Sequence, residues 1–128
     1  MIDTESFEYA ASRWQDLYLF LKNKGYDVYA PGVKVGECTS PYLVVKNNGL
    51  ADVAGFSSKQ WLYSVIVYVP KQQYSTLEVL VTQVETDMKE IAPLFKPRNV
   101  HTPSYYDDDI KAHSISLEYN NYRRDVLI

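Results

Sequence analysis

The stretch from Gln60 to Pro70, QWLYSVIVYVP, decides how the rest of the chain must be arranged. Trp61, Tyr63, Val65, Val67 and Val69 fall on one side of an extended chain, and Leu62, Ser64, Ile66 and Tyr68 fall on the other. Both sides are largely apolar, so the spacing predicts a strand inside a sheet. A helical layer should cover one face, and the sheet's own curl or another subunit the other. Pro70 ends the strand because it has no N–H to give to a ladder.

Working outward, the next segment opens with Ser75-Thr76-Leu77-Glu78, the spacing of a capping box, which predicts a helix starting at Ser75. Its apolar stripe is Leu77, Leu80, Val81, Val84, Met88 and Ile91, and Pro93 sets its end. Glu78, Glu85, Asp87 and Glu90 lie mostly on the opposite, solvated side. Before the central strand, Tyr42 to Lys46 reads as a short strand. Asn47-Asn48-Gly49 reads as a hairpin turn, since Asn and Gly accept positive φ angles. Leu50 to Phe56 would be the returning strand, bulged near Gly55, so that three segments form a meander.

At the N-terminal side Phe7, Ala10, Ala11, Trp14, Leu17, Tyr18 and Leu21 recur at spacings of three and four, predicting an amphipathic helix over residues 3 to 24. Asp3 or Thr4 would cap it and Gly25 would close it. Tyr26 to Pro41, interrupted by Pro31, Gly32 and Gly36, reads as extended loop with room for one short edge strand. Leu94 to Asp109 reads as a long surface excursion. From Ile110 to about Tyr122 a last half-buried strand puts His113, Ile115, Leu117 and Tyr119 on one face and Ala112, Ser114, Ser116 and Glu118 on the other. The fold class expected is α+β: an antiparallel, mostly meander sheet of about four strands with two amphipathic helices packed on one face, all in a single domain spanning residues 1–128.

The totals bound the function. A chain of 128 residues can bury a core unaided, and 46% apolar with 23% charged residues describes a soluble globular protein. The longest apolar run, Val65 to Val69, is far short of the roughly 20 residues a membrane helix needs. The acidic MIDTESFEY start lacks the plan of a secretory signal, which favours intracellular synthesis. A net charge of −3 argues against affinity resting on phosphate neutralisation. One cysteine, Cys38, excludes an internal disulfide and a cysteine-based zinc site. Twelve tyrosines are too many for one small core, which tilts the reading toward assembly, because tyrosine is enriched in interfaces.

No nucleophile elbow, zinc-protease pair or dinucleotide fingerprint is present, and the chain is not expected to be an enzyme or to carry a cofactor or metal. His101 and His113 lack a third ligand at recognisable spacing. Asp107-Asp108-Asp109 is the dense charge cluster. It reads as a solvated turn or an electrostatic surface more readily than as a calcium loop, whose glycine and distal glutamate are missing. Arg123-Arg124-Asp125-Val126-Leu127-Ile128 should pack on the chain's own core or on a partner, since its apolar residues gain nothing in water.

Taken together, several strings resemble the small neck and tail proteins of long-tailed bacteriophages, above all the tail terminators, also called tail completion proteins. They are SPYLVVK (residues 40 to 46), the NNG turn, WLYSVIVYVP, the YSTLE helix start, and TPSYYDDDIKAHSISLEYNNYRR. The resemblance covers nearly the whole chain and transfers no catalytic residue. It implies a homo-hexameric ring in the virion neck, assembled in the host cytoplasm. That ring caps the tail tube protein, ends its polymerisation and meets the head-completion or connector protein. DNA would be only passing cargo in its channel, and no membrane would be involved. Under this reading Asp107, Asp108 and Asp109 would face the lumen and repel phosphates. Tyr105, Tyr106, Tyr122, Arg123, Arg124, Leu127 and Ile128 would supply subunit or partner contacts. A head-completion or stopper protein of the adjacent ring, and a small monomeric adaptor domain, are the alternatives.

Overall fold

A computed structural model describes residues 13–52, 59–92 and 94–123. The elements are α1 (Trp14–Asn23), β1 (Val28–Tyr29), β2 (Tyr42–Asp52), β3 (Lys59–Pro70), α2 (Leu77–Met88), β4 (Lys96–His101), β5 (Tyr105–Asp107) and β6 (Ala112–Arg123). Short 3₁₀ turns, Lys71–Thr76 and Lys89–Ile91, flank α2. The protein is α+β, with a six-stranded sheet in the order β1-β2-β3-β6-β4 and β5 also paired to β6.

β3 is the interior strand its pattern predicts, paired antiparallel along its whole length with β6 and with β2. Its Tyr63, Val65, Val67 and Val69 are fully buried. They meet Leu17 and Leu21 of α1, and Leu77, Val81, Val84 and Met88 of α2, in one core that also holds Leu43, Val45, Leu117 and Tyr119. Both helices therefore lie on one face, where their apolar stripes are removed from water. At the rim the Trp14 indole donates to the Val45 carbonyl at 2.7 Å, and the Arg13 N–H donates to the Tyr63 hydroxyl at 2.6 Å. These bonds fix the entry of α1 over the buried tyrosine.

The sheet departs from the expected four-stranded antiparallel meander in three ways. It is mixed, because Val28 and Tyr29 run parallel to Leu43 and Val44, with the Leu43 N–H donating to the Asp27 carbonyl at 2.8 Å. It has six strands, because the expected surface excursion over residues 94–109 contains β4 and β5, both paired with β6. Finally, Asn47-Asn48-Gly49 is a bulge rather than a turn. The Asn47 side chain accepts from the Gly49 N–H at 2.7 Å, and Gly49 takes φ +104°. The strand then continues pairing with β3 as far as Asp52, so Leu50 to Asp52 belong to β2 and not to a separate returning strand.

The expected cap at Ser75 is also displaced. The α-helix proper begins at Leu77 after a 3₁₀ turn, and the Thr76 hydroxyl donates back to the Gln73 carbonyl at 2.7 Å. The first part of the expected N-terminal helix, with Phe7 and the Asp3 or Thr4 cap, lies outside the described residues, as does Gly55.

Candidate interaction surface

The side of the sheet away from the helices carries Tyr42, Val44 and Lys46 of β2, Leu62, Ser64, Ile66 and Tyr68 of β3, and Ser114, Ser116, Glu118 and Asn120 of β6. Directly paired residues share a face. One end of this face is covered by the segment linking β1 to β2. The Cys38 N–H reaches across to the Ile110 carbonyl at 2.7 Å, and buried Cys38, Tyr42 and Ala112 gather Tyr29, Val44, Tyr68 and Ile110 around them. The tyrosines stack here: Tyr42 on Tyr68 at 4.9 Å between ring centres, and Tyr29 edge-on to Tyr42 at 5.7 Å. The Lys34 ammonium sits 5.7 Å from both the Tyr29 and the Tyr42 rings. Burial pushes the Tyr42 hydroxyl up to about 12, with Cys38, Tyr68 and Asp107 adding to it. Burial, then Asp107, likewise raises Tyr68.

The other end of the face has no such cover. Val44, Leu62 and Ile66 are half-buried there around a polar centre. The Ser64 hydroxyl lies 3.0 and 2.9 Å from the two Glu118 oxygens, the Ser116 hydroxyl donates to Glu118 Oε2 at 2.6 Å, and the Asn48 amide donates to Ser64 Oγ at 2.5 Å. Every printed donor to this carboxylate is neutral, and among the described residues no cation pairs with it. Lys46 stands two strands away in the same row, roughly 10 Å across the sheet by strand spacing. The Asn120 amide oxygen, beside Leu62 on the same face, is buried without a donor. Ser64 is only 5% exposed, so its loss should be felt in stability. Ser64→Ala is expected to lower unfolding free energy by about 1–3 kcal/mol, the cost of leaving buried polar groups unpaired. Combined with Glu118→Leu it should cost less than the sum of the two changes, as urea titrations of the four proteins would show.

A second concavity, a cleft of about 530 Å³, opens on the helical side between α2 and β4. Leu77, Val81 and Ile115 floor it. The Glu85 carboxylate meets the His101 ring at 2.7 Å across it, and the Tyr74 and Ser104 hydroxyls pair at 3.1 Å. His101 has no hydroxyl bonded to it among the described residues, so no nucleophile and base are assembled there.

The residues singled out in the sequence separate into two groups. Asp107 lies in β5, in register with Ala112, and accepts the Asp109 N–H at 3.0 Å. Asp108 pairs with Lys111 at 2.8 Å, and that ammonium holds its carboxyl below the usual range. The acidic run is thus a self-bonded turn with one charge already matched. Among the described residues no grouping of three or more His, Cys, Asp or Glu could hold a metal ion. Tyr105 is 64% exposed, and Tyr106 packs on the His113 ring at 4.9 Å. Tyr122 and Arg123 end β6 opposite Gln60 and Lys59, roughly 30 Å along the strand from Ala112. Arg124, Leu127 and Ile128 lie outside the described residues. Glu118, Ser64, Asn48 and Asn120 were not singled out by sequence. The alternation along β6 gives them a shared face but cannot tell which side of β3 they join.

No family model matches the chain. No curated protein is significantly similar to it either. Among the described residues no helix is long and apolar enough to cross a membrane.

Proposed function

We propose that the chain is a self-assembling structural subunit, a tail-terminator-like protein of a bacteriophage neck that forms a ring, caps the tail tube and joins the tail to the head connector. The observation that carries the self-assembly is the sheet's second face. Its helices lie on one side only, and beyond the cover of residues 30–41 the other side presents half-buried Val44, Leu62 and Ile66 around a carboxylate that no cation matches. A neighbouring subunit would remove this surface from water. The phage setting is supported by the resemblance of the strings quoted above and by an element order of helix, strand pair, helix and final strand.

Under this reading the exposed turn of Asp107 to Asp109 is the candidate lumen surface, with Asp109 and Asp107 as its unmatched charges. Mixing the purified protein with tail-tube subunits tests the function. Tubes should become shorter and end in a ring visible by electron microscopy. Tubes of unaltered length with bare ends would overturn it.

A further inference from the structure

We infer that copies of this chain associate head to tail, with the outward face of α1 of one copy lying on the open sheet face of the next. Lys22 of the first would meet Glu118 of the second. The inference rests on the reading of the chain as a self-assembling subunit, though not on the phage setting.

The argument is one of charge and shape. The open face offers an apolar patch, Val44, Leu62 and Ile66, beside an anion, Glu118, whose printed partners are Ser64, Ser116 and Asn48. A fitting occupant needs an apolar side chain and a cation about one helical turn apart. α1 presents that pair. Its Leu17 and Leu21 are buried, while Leu19 is 44% exposed and Lys22, three residues on, projects from the same side. Lys22 uses one donor on the Tyr18 hydroxyl at 3.2 Å and lies 5.4 Å from that ring, so two N–H groups remain. No acidic group pairs with it among the described residues.

The exposed side of α2 is the rival and does not fit. It carries Glu78, Val79, Thr82, Gln83 and Thr86, with no cation to answer Glu118, and its threonine hydroxyls are spent on its own carbonyls at 2.9 Å. The ten residues of α1 span about 15 Å, which suits the part of the face left free by residues 30–41. α1 and the open face lie on opposite sides of the sheet. Such a contact is therefore heterologous, and it repeats from copy to copy until the rotation closes a ring.

Sedimentation at rising concentration, alone and with tail tubes, tests this with four variants. Lys22→Glu, Glu118→Lys and Leu19→Asp should each weaken association at least ~10-fold, the scale of one lost charged contact. The double variant Lys22→Glu/Glu118→Lys should recover it. Lys22 and Leu19 are exposed, so their variants leave the subunit fold intact, which circular dichroism would check even if Glu118→Lys disturbs the sheet. Association that survives all the single changes overturns the α1-to-sheet contact and leaves self-assembly standing. A wild-type chain that stays monomeric both alone and on tubes overturns both. Failure of the double variant to recover, with its fold intact, overturns the Lys22–Glu118 pairing.

Discussion

Replacing Phe95 by alanine is expected to destabilise the subunit by about 3–5 kcal/mol, the usual cost of removing a fully buried aromatic ring. Phe95 is 1% exposed, and its ring meets that of buried Tyr63 edge to face at 5.5 Å between centres. Its backbone position is pinned, since the Phe95 N–H donates to the Ile91 carbonyl at 3.2 Å and the Asn121 amide donates to the Leu94 carbonyl at 2.7 Å. Little can collapse into the space left behind. Against a total stability of about 5–15 kcal/mol for a domain, this loss would leave a large unfolded fraction on warming. Thermal unfolding followed by circular dichroism gives the answer. A change below ~1 kcal/mol would mean that Phe95 is not part of the core.

Phe95 also shows where sequence and structure part company. Periodicity identifies β3, the two helices and β6, because each is long enough to repeat its pattern several times. It misses β1, β4 and β5, with two, six and three residues. β4 carries Pro97 and pairs irregularly between Pro97 and His101, so no alternation survives to be read. These strands exist because β6 and β2 offer them edges, a tertiary cause that no local window contains. At Asn47 to Gly49 the local chemistry is read correctly, with an Asn side chain serving a glycine at positive φ, but the same chemistry serves a bulge as well as a turn. The pairing of Leu50, Ala51 and Asp52 with β3 decides between them. The polar centre of the open face has a similar history. Ser114, Ser116 and Glu118 alternate visibly, yet only the register of β6 on β3 brings Glu118 against Ser64.

The second large effect expected is a cooperative loss of the fold in alkali, beginning near pH 10. Four tyrosines have hydroxyls raised above the ordinary value of about 10. Burial is the leading cause for Tyr26, with the hydrogen bond to Asp87 at 2.5 Å adding to it. For Tyr42, pushed up to about 12, burial acts first and then the neighbouring Cys38, Tyr68 and Asp107. Tyr68 is raised by burial and Asp107, and Tyr119 by burial and Glu85.

Each group holds its proton more tightly folded than unfolded. Below pH 10 both states are protonated and this stabilisation is fully present. Above it the unfolded chain gives up protons first, so stability falls as pH rises through the folded values. Because Tyr42, Tyr68 and Asp107 crowd one end of the sheet, ionising one hydroxyl adds an anion beside another carboxylate, and the losses reinforce each other. Tyrosinate absorbance and circular dichroism should therefore change together. Tyr42→Phe keeps the ring stack and removes one ionisable group, so it should move the transition to higher pH. Tyrosinate that forms smoothly around pH 10 with the fold intact would show that these hydroxyls are open to water and that the segment 30–41 does not seal that end of the sheet.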